Sequence, residues 1–225
     1  MTRKDFKVKV SKNGPYLVSG GVPLCDADIE LDKEGFSLAW RRGEEIPSKE
    51  NYALCRCGGS SHKPFCDGTH LKNRFEGTET APTKLKTEDT VHIKGPELTL
   101  DDTEKLCAGA RFCDRAGSIW ELVKKGDSES VATAKEEAAN CPSGRLKLRD
   151  SEGRSLEQKL APEISVTHDP KAGGMGPLWV KGGVGVESGA GEPYEAHNRM
   201  TLCRCGKSLN KPFCDRSHLP PGVIG

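Results

Sequence analysis

Apolar and polar residues alternate with a period of two in several short runs of this chain. Phe6-Lys7-Val8-Lys9-Val10 has the pattern of a strand with one buried face, and Gly14-Pro15 then turns the chain into a second strand at Tyr16-Leu17-Val18. Gly20-Gly21 makes a further turn, Val22 and Leu24 begin another short strand, and Phe36 to Trp40 alternates again. Three or four short strands are thus expected before residue 50. The middle of the chain reads differently. Asp101 or Asp102 is expected to cap a short helix through Leu106, Trp120 to Val123 looks strand-like, and Ser130 to Ala139 is a helix by propensity, ended by Cys141-Pro142-Ser143-Gly144. Leu146-Lys147-Leu148 and Ile164-Ser165-Val166 read as strands. The pattern predicts a mainly β protein with short helices, in the α+β class.

A repeat organises these elements. Residues 51–70 align with 199–218 at twelve identities in twenty, where chance composition gives about one or two. The preceding stretch repeats as well, Gly14 to Val22 matching Gly176 to Val184. The unit is strands followed by a cysteine-rich motif, which is too small to bury much apolar surface alone.

The motif itself, CRCGGSSHKPFCDGTH at 55–70 and CRCGKSLNKPFCDRSH at 203–218, puts three cysteines and one histidine at identical spacing in both copies while neighbouring positions drift. Thiolate and imidazole donors suit zinc or iron–sulfur clusters, and hard cations would ask for carboxylates. Cys55 and Cys57 are two apart, so in extended chain they point the same way. Asp67 is a good N-cap, which predicts a helix beginning there with His70 on its first turn. Two donors per side suits a two-iron cluster, and a closed zinc site of three Cys and one His is the alternative. Arg56 and Arg204, between the paired cysteines, either place positive charge beside the metal or are simply solvated.

Residues 55–70 meet in full the pattern C-x-C-x2-[ST]-x3-P-x-C-D-G-[STA]-H of the CDGSH iron–sulfur family, which the chain therefore resembles; the second copy departs once, with Arg216 for Gly. The resemblance implies two [2Fe–2S] clusters, bound by Cys55, Cys57, Cys66 and His70 and by Cys203, Cys205, Cys214 and His218. It also implies that the two modules pair through their strands, here as an internal pseudo-dimer within a monomer. Between them, Cys107-Ala108-Gly109-Ala110-Arg111-Phe112-Cys113 is a ferredoxin-type C-x2-C-x2-C run with Ala110 at the middle cysteine, and Cys141-Pro142 matches its terminal Cys-Pro. This segment resembles a divergent single-cluster ferredoxin domain, which implies a [3Fe–4S] cluster on Cys107, Cys113 and Cys141, or [4Fe–4S] with an outside ligand. Three buried reduced thiols are the plainer alternative. The expected organisation is a first cluster module at 1–80, a ferredoxin-like insert at 88–168 and a second cluster module at 172–225.

Bulk properties narrow the function. Thirty-four basic and thirty-three acidic residues leave a net charge of +1, which offers no electrostatic case for nucleic acid or acidic lipid. No apolar run approaches a membrane span, and the charged start MTRKDFKVKV lacks a signal peptide's apolar core, so a cytoplasmic protein is expected. Ten cysteines, most of them clustered, argue for metal ligation over disulfides. No phosphate loop or nucleophile–base set appears, so the chain is expected to be no enzyme but a carrier for electron transfer, redox or pH sensing, or cluster transfer. Its partner would be a redox protein or an apo cluster acceptor. A structural zinc-binding interaction module is the alternative function. Cys25, without a donor nearby, is expected to pack in the core, and His62, His92, His168 and His197 to be solvated or satisfied histidines.

Overall fold

A computed structural model describes residues 5–223; the terminal residues of the first and second modules, 1–4 and 224–225, lie outside it. Among the described residues, twelve strands form three sheets. β1 (Lys7–Val10), β2 (Tyr16–Ser19) and β5 (Tyr52–Leu54) join β11 (Gly185–Glu187) in the order β11-β1-β2-β5. β3 (Leu24–Leu31) and β4 (Ser37–Glu45) join β9 (Glu163–His168), β10 (Leu178–Lys181) and β12 (Arg199–Leu202) in the order β12-β10-β9-β3-β4. β6 (Val91–Lys94), β7 (Leu98–Asp102) and β8 (Leu146–Asp150) form the third.

The first two sheets are built by exchange. β2 and β10 are equivalent in the repeat, as are β5 and β12, and each pair keeps its own sheet. The next strand of each copy crosses over. β3 of the first copy pairs in parallel with β9, setting Leu24 opposite Ile164, and β11 of the second pairs in parallel with β1, setting Val186 opposite Val8. The two junctions share one register, since Val8 and Ile164 hold equivalent places against β2 and β10. The internal pseudo-dimer expected from the family resemblance is therefore knit by reciprocal parallel strands. One apolar core spans both copies, with Val8, Val10, Tyr16, Val18 and Leu54 packed among Ile164, Val166, Leu178, Val180 and Leu202. Neither module could bury these residues alone.

β9 lies in the second cluster sheet, although the sequence boundaries put residues 163–168 in the insert. The insert packs its own core from Leu98, Leu100, Ile119, Leu122, Val123, Ala134 and Leu146. It holds α2 (Ile119–Lys125) and α3 (Ser128–Asn140) against β6-β7-β8. The stretch expected as a strand at Trp120–Val123 is α2. Ser118 accepts from the Glu121 N–H as N-cap and Gly126 closes the helix in the left-handed region, so local capping outweighs the β preference of Trp and Val. Asp101 and Asp102 end β7 and cap nothing; a 3₁₀ turn at Glu104–Leu106 follows Thr103. Trp40 of β4 ties the layers together, its ring 5.2 Å from Phe112 of the insert and 5.1 Å from Trp179, with Nε1 donating to Asn140 O. Cys25 is buried, its Sγ 3.2 Å from Ser165 Oγ.

Glu137 of α3 is buried; its Oε1 accepts from the Ala116 N–H at 3.1 Å and Oε2 has no partner. Burial pushes its carboxyl up to about 7, against the Ala116 N–H and Arg115 and with Asp114 and Glu136. The folded pKa exceeds the unfolded one, so the contribution is complete below about pH 4.5 and is lost as pH rises through about 7. The loss is on the order of 3 kcal/mol. Glu137→Gln is expected to abolish it, seen as a Tm that no longer falls relative to wild type between pH 5 and 8.

Candidate metal centres

Each repeated motif leaves its last cluster-sheet strand at the first cysteine and returns beside it. In the first copy the Cys55 N–H donates to Pro64 O and the Cys66 N–H to Ala53 O; in the second, Cys203 and Cys214 do the same with Pro212 and Thr201. The loop between is held by matching bonds. Ser60 Oγ donates to Phe65 O and Ser208 Oγ to Phe213 O, both at 2.7 Å, and Asp67 and Asp215 accept the N–H of Ser61 and of Leu209. Those contacts hold Asp67 well below the usual carboxylate range, with Thr69 the leading contributor. The Ser and Asp shared by the two copies are scaffold, and the loop folds the same way twice because both copies keep them.

The donors come as two pairs per site. Cys55 and Cys57 Sγ are 3.9 Å apart, and Cys66 Sγ lies 3.4 Å from His70 Nδ1; the second copy has 3.6 Å for Cys203–Cys205 and 3.4 Å for Cys214–His218. Among the described residues, no three His, Cys, Asp or Glu side chains converge as a lone ion requires. Backbone N–H groups face the sulfurs, from Gly59 to Cys57 at 3.4 Å and from Gly68 to Cys66 at 3.5 Å. That suits anionic, metal-bound sulfur. Burial pushes the Cys55 and Cys214 thiols up, and in the coupled pair Cys203 is held low by a hydrogen bond from Cys205, which is raised in turn. Metal binding at these sites therefore has protons to displace.

Arg56 and Arg204 are buried, which settles against a solvated role. Arg56 donates to Ser11 O and Gly77 O, and Arg204 to Gly176 O and Thr167 O. Each clamps its cysteine pair onto the hairpin turn of its own sheet. Burial pulls Arg204 down to about 10, still charged at neutral pH, and its charge reaches Cys55 and Cys205. Sequence spacing could place these arginines but not bury them.

The helix after Cys66 is α1 (Thr69–Lys72), with Gly68 in the left-handed region at φ +85° as its cap residue, so Asp67 stands one place earlier than expected. Thr69 N–H donates to Asp67 Oδ1. Arg216 holds the equivalent place at φ +77°, and residues 216–219 make only a turn. The Gly-to-Arg change thus falls on a strained left-handed position and not inside a helix.

The two sites abut. Gly58 packs so closely on the other loop that a Cβ there would lie 2.6 Å from Cys205 O, and one on Gly206 would lie 2.7 Å from Cys57 O. Tyr16 breaks the symmetry, its hydroxyl donating to Cys203 O at 2.7 Å and Pro212 O at 3.0 Å, where Leu178 has nothing to offer the first copy. Tyr16→Phe should therefore cost about 1–3 kcal/mol by leaving the Cys203 carbonyl without this partner, while Pro212 O keeps the Cys203 N–H, measurable as a fall in Tm with the first site unaffected.

In the insert, Cys107, Cys113 and Cys141 line one cavity with Ala110 and Arg145. Burial raises the Cys113 thiol, with Asp114, Cys141 and Cys107 adding to the effect. Arg145 forks onto Asp102 at 2.6 and 2.9 Å and lies over the Trp120 ring. The histidines other than His70 and His218 behave as satisfied or surface groups: His62 is exposed, His92 meets Asp101 at 2.7 Å, His168 meets Asp26 at 2.7 Å, and His197 lies by Lys147.

Comparison with known families follows this geometry. Residues 13–71 and 175–219 match the family described as iron-binding zinc finger, CDGSH type, and residues 93–151 match the divergent 4Fe–4S mono-cluster family. Two segments of the chain, one on each side of the insert, are thus similar to the CDGSH type. Curated proteins similar to this chain include the mitochondrial CDGSH iron-sulfur domain-containing protein 3 of Mus musculus and of Homo sapiens, each 39% identical over 46 residues, or 20% of this chain. The match spans 31% and 34% of those two proteins, about a third of their length. No solved structure matches at the same stringency. Among the described residues, no helix is long and apolar enough to cross a membrane.

Proposed function

We propose that the chain is an iron–sulfur carrier that performs no substrate turnover of its own. It holds one [2Fe–2S] cluster on Cys55, Cys57, Cys66 and His70, a second on Cys203, Cys205, Cys214 and His218, and a [3Fe–4S] cluster on Cys107, Cys113 and Cys141. The observation that carries this reading is the pairing of donors at each repeated site. Two separated pairs suit two irons, whereas a structural zinc ion asks for four donors around one point. At the third site, Ala110 lines the cavity where a fourth cysteine would be expected, which favours a three-cysteine cluster.

Such clusters supply one-electron redox chemistry. The residues set its terms: a neutral imidazole in place of a thiolate removes one negative charge per site and eases reduction, and Arg56, Arg204 and the N–H groups of Gly59 and Gly68 act in the same direction. The partner is a one-electron redox protein or an apoprotein offering thiolate ligands, and the chain acts as a monomer. Anaerobic redox titration followed by visible absorption and EPR tests this. One electron per centre is expected, with Cys113→Ser removing the third centre alone; a protein that accepts no electrons contradicts it.

A further inference from the structure

The two repeated sites share their donors but not their surroundings. In the first, Phe65 and Cys66 are partly exposed, Leu71 beside His70 is 76% exposed, and a Cβ on Gly68 would meet nothing within 4 Å. In the second, the equivalent Phe213 and Cys214 are buried. Phe213 meets the Tyr194 ring, and the insert packs against the residues that flank His218, which is itself partly exposed. Gly109, at φ +72°, lies so close that a Cβ there would be 2.5 Å from Leu219 Cδ1 and 3.1 Å from Arg216 Cγ, on either side of His218. Asn210 Nδ2 donates to Lys105 O at 3.1 Å, and Arg111 Nη2 donates to both oxygens of buried Asp169 at 2.8 Å. Among the described residues, nothing comparable lies over the first site.

We infer that the insert seals the second site, so that iron and sulfide pass to an acceptor through the first site while the second retains its cluster. This rests on the iron–sulfur reading above. The exchange is a substitution without change of oxidation state: acceptor thiolates take the places of Cys55, Cys57, Cys66 and His70, and the protons leaving the acceptor's thiols end on the released donors. An acceptor must reach all four donors, which requires an open flank. Leu71, exposed beside His70, and the partly exposed Cys66 provide it, and Leu219 and Gly109 close the matching flank of the second site.

The test uses the full holoprotein, purified anaerobically and mixed with excess 2,2′-bipyridyl under reducing conditions, with released iron and visible absorption followed together. Two phases are expected, the faster at least tenfold quicker and carrying about two iron. His70→Cys should remove the fast phase and His218→Cys should leave it. Leu219→Ala, which opens the seal without touching a donor, should speed the slow phase severalfold. A single phase, or a fast phase that survives His70→Cys and disappears in His218→Cys, overturns the inference while leaving the proposed function standing. Protein without labile sulfide overturns both.

Discussion

His70→Cys is expected to turn an acid-labile first centre into an acid-stable one, and to lower its potential by on the order of 100 mV or more. The reasoning is chemical. Iron and protons compete for an imidazole lone pair, so acid that protonates a histidine ligand releases the iron it holds, whereas a thiolate bound to iron resists that displacement. The added negative charge disfavours the reduced state, which lowers the potential. His70 sits on α1, at the first turn, with Nδ1 facing Cys66 Sγ at 3.4 Å, so a shorter cysteine side chain needs only a small adjustment there. The check is the decay of visible absorption at pH 5 to 6 and a potentiometric titration. Unchanged acid lability would show that His70 holds no iron.

Gly58→Ala is expected to cost roughly 3 kcal/mol, from left-handed strain plus a backbone clash. Gly58 has φ +75°, and its Cβ would press on the Cys205 carbonyl of the other motif, at 2.6 Å from the oxygen and 2.9 Å from the carbon. Neither atom belongs to a flexible side chain, so the two cluster loops must separate. For a chain of this size the fall in Tm is about 6 °C or more. Gly68→Ala is the control, with a similar φ and no neighbour within 4 Å of the added Cβ, and it should cost only about 1 kcal/mol. Equal effects of the two substitutions would mean that the loops do not meet as described.

The donors were legible because their chemistry is local. Cys55, Cys57, Cys66 and His70 lie within sixteen residues, and their spacing recurs at Cys203 to His218. Soft donors kept at one spacing in two copies point to metal ligation whatever the rest of the fold does. The helix at Ser128–Asn140 and the turns at Gly14-Pro15 were readable for the same reason. What the sequence concealed was long-range. No period of two says that β3 will leave its own sheet to lie beside β9, 140 residues away, with Cys25 opposite Ser165. Burial of Arg56 follows from the hairpin turn and Gly77 closing over it, which spacing does not encode. Trp120 looked like a strand residue because β preference is weaker than a capped helix start at Ser118. That Cys107, Cys113 and Cys141 line one cavity needed the fold, since 27 residues and two helices lie between the last two.

The central claim, that paired soft donors in two repeats and a cysteine trio between them hold iron–sulfur clusters, is met most directly by iron, zinc and acid-labile sulfide per chain on protein purified without oxygen. About seven iron and eight sulfide per chain, with no zinc, is the predicted result; four of each would keep the two repeated centres and empty the insert. Zinc bound without sulfide would contradict the account.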